Sequence, residues 1–236
     1  KEEVKFFLEP SIKGILPNPF ILKDMDKAVD RTIKAITSSE KIGIFGDYDV
    51  DGATSTALLG KYFEILNISF EIYIPDRKKE GYGPSIESFK ILIERGVKII
   101  FTVDCGTLSF EAIDYAAKNN IDVIVLDHHQ SEVKLPKAFS IINPNRLDDT
   151  SNLEYLCAAG VTFMFLVSMN KMLRLKEWFV KNKIVEPDLI LFLDLVSLGT
   201  VCDVVPLIGL NRAIVKQGLK ILKSKKNLGL KTLLDV

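Results

Sequence analysis

Residues 97–130 read VKIIFTVDCGTLSFEAIDYAAKNNIDVIVLDHHQ, and this stretch decides the fold. Apolar, β-branched runs at 97–104 and 121–127 predict two buried strands, and the amphipathic segment at 108–120 between them predicts a helix. A strand, a helix and a second strand in this order indicate a βαβ unit with parallel strands. Because the strands are apolar throughout rather than alternating, we expect a sheet covered by helices on both faces.

The same alternation continues toward the N-terminus. We expect Ser85 to cap the helix before this unit and Gly96 to end it, since a hydroxyl accepts the first free N–H groups and glycine adopts the conformation that stops a helix. The predicted elements are strands at 41–46 and 68–74 and helices at 53–66 and 85–96.

Beyond Pro144 the strand pattern stops and helical stretches follow. We predict helices at 156–173, 187–198 and 210–223, with Pro187 in a favoured first-turn position. The fold class is therefore α/β: a doubly wound, largely parallel sheet with helices on both faces, followed by a mainly helical C-terminal part. We expect one domain cut from a longer protein, with a helical lead-in at 1–40, an α/β core at 41–145 and a helical part at 146–236.

Composition excludes several classes of protein. The 236 residues include 31 Lys and Arg against 31 Asp and Glu, so the chain is not a polycation that binds nucleic acid by bulk charge. No apolar run reaches the ~18 residues of a membrane-spanning helix, so we expect no membrane association. Three widely spaced cysteines without a C-x-x-C pair favour a reducing cytoplasm over a disulfide scaffold.

Aspartates and both histidines follow the predicted strands or lie in one late loop, 198–207. Strand ends of a parallel sheet share one edge, where ligands bind. Buried carboxylates repel one another unless a cation offsets their charge. Asp and His together suit Mn²⁺ or Mg²⁺, and imidazole favours Mn²⁺ or another transition metal. Two such cations about 3.5–4 Å apart commonly drive phosphoester hydrolysis. The residues are Asp47, Asp49, Asp51, Asp104, Asp127, His128, His129 and Asp203.

Alternatives exist for parts of this pattern. The spacing from Asp47 to Gly52 also matches the start of an EF-hand loop, but position twelve is Leu58 instead of Glu and a strand precedes it. Cys105 and Cys202 flank proposed ligands, so a thiolate zinc site competes with the carboxylate site. Because successive strand side chains point to opposite sides, we expect one of the two adjacent histidines to bind metal and the other to face substrate.

Four stretches together resemble the motifs of the DHH phosphoesterase superfamily. They are GDYDVDGATSTALL (46–59), TVDCGT (102–107), VLDHHQ (125–130) and SLGTVCDVVPL (197–207). Five more are similar to the RecJ-type exonucleases of that superfamily: ILPNPFILKDMDKAV (15–29), EGYGPS (80–85), IINPNR (141–146), LCAAGV (156–161) and NRAIVKQGL (211–219). The resemblance covers nearly the whole chain, and the order and separation of the motifs match.

The chain departs from the pattern of these exonucleases in a few places. Ala158 stands where the family usually has Gly, and Cys202 where Ala is usual, both small-for-small changes. RecJ-type enzymes continue into a DHH-associated domain and usually an OB-fold. The resemblance therefore implies a catalytic domain without those two domains.

The resemblance implies roles for individual residues. Asp104 is expected to bridge two cations, and Asp47 to be a further ligand or an acid behind the ligands. His129 is expected to contact the scissile phosphate, and Asp127 to orient the histidine pair by hydrogen bonding. The implied metal ligands are Asp49, Asp51, Asp104, His128 and Asp203.

Substrate-binding positions are less specific. Arg77 is either a phosphate clamp or a solvated surface residue, since guanidinium matches two phosphate oxygens. Gly83 could let backbone approach the DNA strand, with Tyr82 stacking on a base. Gly160 lies where a helix N-terminus faces phosphate, or else marks tight helix packing.

The resemblance implies a metal-dependent 5′→3′ exonuclease on single-stranded DNA, serving recombination and repair in the bacterial cytoplasm. Mn²⁺ is the favoured cation and Mg²⁺ the alternative. Single-stranded DNA, the missing C-terminal domains and a single-strand-binding protein are the expected partners. Two other functions remain open: a phosphodiesterase for short oligoribonucleotides or cyclic dinucleotides, and a non-catalytic scaffold that binds nucleic acid or a partner. Such scaffolds typically lose the acidic motifs, all of which are present here.

Overall fold

Five parallel strands form one sheet in the computed structural model, which describes residues 8–235. The sheet order is β2-β1-β3-β4-β5, so the chain reverses its direction of travel across the sheet at β1. Ligands of open α/β sheets bind at the carboxyl ends of strands beside such a reversal. The strands are β1 (Ile42–Gly46), β2 (Phe70–Tyr73), β3 (Ile99–Val103), β4 (Asp122–Leu126) and β5 (Ser140–Ile142).

Helices cover the sheet and make up the C-terminal part. Two short 3₁₀ segments, Pro19–Ile21 and Leu189–Phe192, lie between successive helices. The helices are α1 (Ile12–Ile15), α2 (Met25–Thr37), α3 (Val50–Ile65), α4 (Ile86–Glu94), α5 (Phe110–Lys118), α6 (Ala158–Leu175), α7 (Trp178–Asn182), α8 (Leu193–Cys202), α9 (Gly209–Lys223) and α10 (Leu228–Leu234).

Alternate side chains of the strands supply two separate apolar layers. Ile42, Ile44 and Phe101 pack with α2, α3 and α6 in the larger layer, which extends from Leu22 to Leu230. Residues such as Phe45 and Ile100 pack with α4 and α5 on the opposite face. This two-sided burial confirms the α/β class and explains why the strands are apolar throughout.

Most element boundaries agree with the sequence pattern. Ser85 caps α4 in a reciprocal capping box with Ser88, and Gly96 follows the helix with a φ of 86°. Both features satisfy backbone groups that a helix end leaves without partners. The third strand, the fourth strand and the helix between them lie within two residues of their predicted bounds.

The structure corrects three local predictions. Helix α3 begins at Val50, three residues early, because the side chain of Asp49 caps it. Pro187 precedes the helical segment instead of opening it, since the side chain of Asp188 accepts a bond from Ile190 N and is the N-cap. Residues up to Cys202 of the predicted loop at 198–207 are helical. The short strand β5 had not been predicted.

Candidate metal centre

Three of the predicted acids lie side by side at the carboxyl edge of the sheet. Strands β1, β3 and β4 end in register, with Gly46 opposite Val103 and Val103 opposite Leu126. The next residue along each strand is an aspartate: Asp47, Asp104 and Asp127. All three are buried. The sheet therefore fixes the spacing of these carboxylates.

The segment after β1 turns directly into helix α3. Asp49 accepts a hydrogen bond from Gly52 N at 2.9 Å and so caps the helix. A Cβ atom at Gly52 would lie 2.5 Å from the carbonyl oxygen of Asp47. Only glycine permits this close approach, which brings Asp47, Asp49 and Asp51 to one place within a single tight turn.

Asp51 binds the N-terminus of helix α6. Its carboxylate accepts bonds from Ala158 N at 2.6 Å and from Ala159 N at 2.9 Å. Two of the N–H groups that could face a substrate phosphate are therefore bound by a carboxylate of the protein. Gly160 is buried beneath Leu156, as expected for tight helix packing.

Asp203 reaches the same place from the helical part of the chain. It is the C-cap residue of α8, and its Oδ2 lies 3.6 Å from His128 Nε2. A Cβ atom at Gly199, one turn earlier in α8, would lie 2.7 Å from Asp51 Oδ1. The glycine therefore lets α8 approach Asp51 closely enough to bring Asp203 to the sheet edge.

Three groups of side chains have ligand atoms within 4.8 Å of one another, as a metal site requires, and one of these groups is Asp104, His128 and His129. We call Asp51, His128 and Asp203 the histidine cluster, and Asp47, Asp49 and Asp104 the aspartate cluster. Asp104 connects them, because its Oδ1 lies 3.3 Å from His128 Nε2.

Polar atoms in these clusters lack hydrogen-bond partners although they are buried. A buried polar atom without a partner is costly, and such atoms in a native protein usually indicate a ligand or ion. These atoms converge from both clusters, so the donor set fits divalent cations held by carboxylate oxygens and one imidazole. They are Asp47 Oδ1, Asp104 Oδ1, His128 Nε2 and Asp203 Oδ2.

Electrostatics in the clusters also favour a cation. Burial, together with the neighbouring carboxylates of Asp51 and Asp49, raises the pKa of Asp104 to about 10. Burial likewise raises the pKa of Asp47, Asp51 and Asp203 above the ordinary value. Without added positive charge, the carboxylates of the site cannot all be ionised at neutral pH.

The two histidines have different surroundings. The His128 side chain is 13% exposed, and its Nε2 lies 3.3–3.7 Å from carboxylate oxygens of Asp51, Asp104 and Asp203. The His129 side chain is 46% exposed, and its Nδ1 donates to Asp127 Oδ1 at 2.8 Å. Both imidazoles face carboxylates, since His129 Nδ1 also lies 3.9 Å from Asp104 Oδ1, but His128 is the more buried and His129 lies at the mouth of the site.

Asp127 holds this turn through its carboxylate. Its Oδ1 also accepts from the backbone N–H groups of His128 and His129, and its Oδ2 accepts from Thr107 N at 3.0 Å. Burial works to raise the pKa of Asp127, but these hydrogen bonds hold it well below its usual range. The bond to Asp127 in turn raises the pKa of His129, which favours the imidazolium form.

Tyr82 covers one side of the site. Its hydroxyl donates to the carbonyl of Asp104 at 3.0 Å and lies 3.2 Å from His129 Nδ1. Asp104 has a φ of 61°, a strained conformation for a residue with a Cβ atom. The hydroxyl of Tyr82 therefore helps to fix the backbone that aims Asp104 into both clusters, while the ring remains half exposed.

Arg77 lies at the outer rim of the site. Its side chain is exposed, and its guanidinium lies 5.2 Å from the centre of the Tyr48 ring. Tyr48 stands between Asp47 and Asp49 in the chain, so this contact places Arg77 beside the acidic turn. Gly83, with a φ of 80°, follows Tyr82 and shapes the same loop.

The structure rules out the EF-hand alternative. A strand precedes the acidic turn, and Leu58 is fully buried in the larger apolar layer. The zinc alternative also lacks support, because the candidate metal clusters within residues 8–235 contain no cysteine. Cys105 is buried among apolar side chains, and burial raises the pKa of its thiol.

Sequence reasoning missed several residues that support the site. Asn143 and Asn145 donate side-chain bonds to the carbonyls of His129 and His128, respectively. Thr107 accepts a bond from Asn143, and Gly199 allows the approach of α8. The polar residues on either side of Pro144, immediately after a short apolar run, were the available signal.

The chain matches the family model for the N-terminal domain of the DHH family over residues 41–200. It is 40% identical over 231 residues to the single-stranded-DNA-specific exonuclease RecJ of Escherichia coli (strain K12), covering 97% of this chain and 40% of that protein. For RecJ of Bacillus subtilis (strain 168) the identity is 38%, covering 93% and 26%. The chain thus spans less than half the length of these relatives.

Solved structures show the same arrangement of strands and helices. Exonuclease RecJ bound to manganese matches with a TM-score of 0.78 at 31% identity, covering 91% of this chain and 52% of that one. RecJ from Thermus thermophilus in complex with Mn²⁺ matches with a TM-score of 0.74 at 28% identity, covering 91% and 29%. Its complex with Mg²⁺ matches with a TM-score of 0.63 at 26% identity, covering 98% and 27%.

Proposed function

This chain belongs to the DHH family, and from that premise we propose that it is a metal-dependent phosphodiesterase that degrades single-stranded DNA in the 5′→3′ direction. The relatives named as single-stranded-DNA-specific exonucleases support the substrate, and the resemblance of the sequence motifs supports the direction. The role that we propose is recombination and repair in the bacterial cytoplasm. Within residues 8–235, no helix is long and apolar enough to cross a membrane.

The main support for this proposal is a set of buried polar atoms that lack hydrogen-bond partners. Unpartnered atoms of Asp47, Asp104, His128 and Asp203 converge where Oδ1 of Asp104, in the aspartate cluster, lies 3.3 Å from Nε2 of His128, in the histidine cluster. Two cations held by these residues would suit the hydrolysis of phosphate esters, because both the attacking and the leaving oxygen need positive charge nearby.

We propose two divalent cations, one for each cluster, with Asp104 between them. The imidazole of His128 favours Mn²⁺ over Mg²⁺, and RecJ structures containing either ion support the general site. When bound, the cations would activate a water molecule for attack on phosphorus and offset the charge that develops on the phosphate oxygens.

The remaining site residues would position the phosphate. His129 lies at the mouth of the site, and the bond from its Nδ1 to Asp127 directs the opposite edge of the ring outward. As an imidazolium, it would neutralise charge on a non-bridging phosphate oxygen. Asp127 keeps that ring in place and would not itself contact substrate.

Arg77, Tyr82 and Gly83, which we call the rim of the site, would bind the DNA strand. Arg77 could contact a phosphate from its position over Tyr48, and the half-exposed ring of Tyr82 offers a surface to a base. Gly83 would allow the backbone of the strand to approach this loop. Arg77 is the cation that we place at the rim, so the chain on its own should bind DNA weakly.

The larger apolar layer is continuous from Leu22 to Leu230. It includes residues of the lead-in, the sheet and the C-terminal helices. This continuity supports the proposal that the lead-in, the α/β core and the helical part form one catalytic domain.

The decisive experiment is the analysis of products from single strands labelled at the 5′ or 3′ end, with Mn²⁺ and with EDTA. We expect Mn²⁺-dependent release of nucleotides from the 5′ end. Short oligoribonucleotides and cyclic dinucleotides should be tested in parallel. Faster hydrolysis of these small substrates would favour the alternative phosphodiesterase, and no hydrolysis of any substrate would favour a binding scaffold.

Binding by the rim can be measured separately. The slope of log affinity against log salt should be shallow, about −1 to −3, at ~0.7 per phosphate contacted. Arg77→Ala should weaken binding to all sequences equally and reduce the slope by about one contact. The control is Lys90→Ala, an exposed cation on α4 beside Glu94. An equal effect of the two substitutions would remove Arg77 from the site.

A further inference from the structure

Asn143 lies next to the histidine turn although it is distant in sequence from the acidic motifs. It follows β5, which pairs with β4, and the backbone N–H of Asp127 donates to the carbonyl of Ile142 at 3.1 Å. The side chain of Asn143 is fully buried. A buried amide must find partners for its two hydrogens and its oxygen, so its surroundings are informative.

Neighbouring groups supply partners for both amide hydrogens and for the amide oxygen of Asn143. Asn143 Nδ2 donates to the carbonyl of His129 at 2.8 Å and to Thr107 Oγ1 at 2.9 Å. Its Oδ1 accepts from the backbone N–H of Asn145 at 2.8 Å. Thr107 N in turn donates to Asp127, whose other oxygen accepts from His129. These hydrogen bonds form a closed network that joins the loop after β3 to the turn after β4.

This hydrogen-bond network joins the two segments that supply the central candidate metal ligands. The loop after β3 carries Asp104, and the turn after β4 carries His128 and His129. On the other side of the turn, the side chain of Asn145 donates to the carbonyl of His128. The carbonyls of both histidines are therefore held by asparagines, and their N–H groups by one carboxylate.

We propose that Asn143 is a positioning residue that holds the histidine turn against the loop carrying Asp104. The inference rests on the proposed function for its effect on catalysis, but its effect on the histidine rings can be measured without any metal. An amide is required chemically. Aspartate would present oxygens to the carbonyl of His129 and add a buried negative charge beside Asp127.

The catalytic test compares Asn143→Ala with the parent protein on labelled single-stranded DNA. Residues that hold metal ligands or their neighbours typically change activity about 10- to 100-fold when they are removed. We expect kcat to fall within that range, and KM for DNA to stay within about threefold because the rim is untouched.

The second readout uses the fact that this chain has only two histidines. In metal-free protein labelled with ¹⁵N-histidine, and free of any histidine tag, the ring signals arise from His128 and His129 alone. The parent should show a His129 ring with a hydrogen-bonded Nδ1 proton. Asn143→Ala should shift or broaden these signals, because the turn loses the bond at the carbonyl of His129.

Asn170→Ala is the matched control. Asn170 is also a buried amide: it donates to the carbonyl of Pro187 and accepts from Tyr62, on the helical side of the molecule. It should lower stability without changing kcat or the histidine signals. If it changes them as much as Asn143→Ala does, the role of Asn143 is general packing and the proposal is wrong.

Thr107→Val removes one hydrogen bond of the network, the bond from Asn143 Nδ2 to Thr107 Oγ1, and keeps the side-chain shape. It therefore tests the proposal if Asn143→Ala does not fold. It should change the His129 signal in the same direction, and the double variant should be no worse than Asn143→Ala alone. Unchanged histidine signals in both variants would overturn the proposal. A parent protein without nuclease activity would refute the proposed function, while the histidine spectra would still decide the role of Asn143.

Discussion

Replacing Asp104 by Asn should weaken metal binding while leaving the stability of the metal-free protein nearly unchanged. In the metal-free protein the pKa of Asp104 is about 10, so its carboxyl group is already neutral at pH 7.5. Asn is also neutral, has nearly the same shape and tolerates the φ of 61° at this position. We therefore expect the free energy of unfolding without metal to change by less than about 1 kcal/mol.

With metal the two proteins should differ strongly. A cation present at 100 times its dissociation constant stabilises the native state by about 2.7 kcal/mol. For a chain of this length, each kcal/mol moves the melting temperature by about 2–4 °C, giving an increase of roughly 5–11 °C. Loss of the shared ligand should weaken binding about 100-fold. The remaining stabilisation would be about 0.4 kcal/mol, or roughly 1–2 °C.

The assay is thermal unfolding of both proteins with EDTA and with Mn²⁺ at 100 times the dissociation constant of the parent, measured first by calorimetry. Asp194→Asn is the control, because Asp194 is also buried but belongs to neither cluster in the described part of the chain. It should keep the full Mn²⁺ effect. A Mn²⁺ effect above about 5 °C in Asp104→Asn, the lower end of the rise expected for the parent, would refute the bridging position. So would DNA hydrolysis within tenfold of the parent rate.

Three further predictions follow from contacts elsewhere. His128→Ala should remove most of the Mn²⁺-induced rise in melting temperature and His129→Ala should leave most of it, and equal effects would contradict the division between the two rings. Hydrogen bonds from Lys27 and Arg146 outweigh burial and lower the pKa of Asp24, so that its ion pairs stabilise the protein above about pH 4 and lose this effect as the pH falls through the lowered value. Urea unfolding of Arg146→Gln should show a loss of about 3 kcal/mol at pH 7 that shrinks below about pH 4, and a loss independent of pH would count against the pair. Gly52→Ala should abolish Mn²⁺ binding in calorimetry, because its methyl group would lie 2.5 Å from a backbone carbonyl oxygen, and parent-like affinity would show that the turn is more tolerant than its geometry indicates.

The sequence by itself determined four of the five strands of the sheet and most of the helices described. Strand and helix patterns are local, since side-chain periodicity and capping residues act over a few positions. Ser85 and Gly96 therefore marked the ends of α4 correctly. The location of Asp47, Asp104 and Asp127 at one edge also followed from the sequence, because parallel strands in a βαβ series must end on the same side.

Only the tertiary structure decided which groups meet at that edge. Asp51 binds the N-terminus of α6, more than a hundred residues later, where the sequence left phosphate binding and tight helix packing both open. A helix N-terminus attracts any anion, and packing between distant helices determines which one reaches it. Likewise, the contact between Asn143 and the carbonyl of His129 depends on the pairing of β5 with β4. Such choices depend on contacts between segments far apart in the chain, which no local pattern encodes.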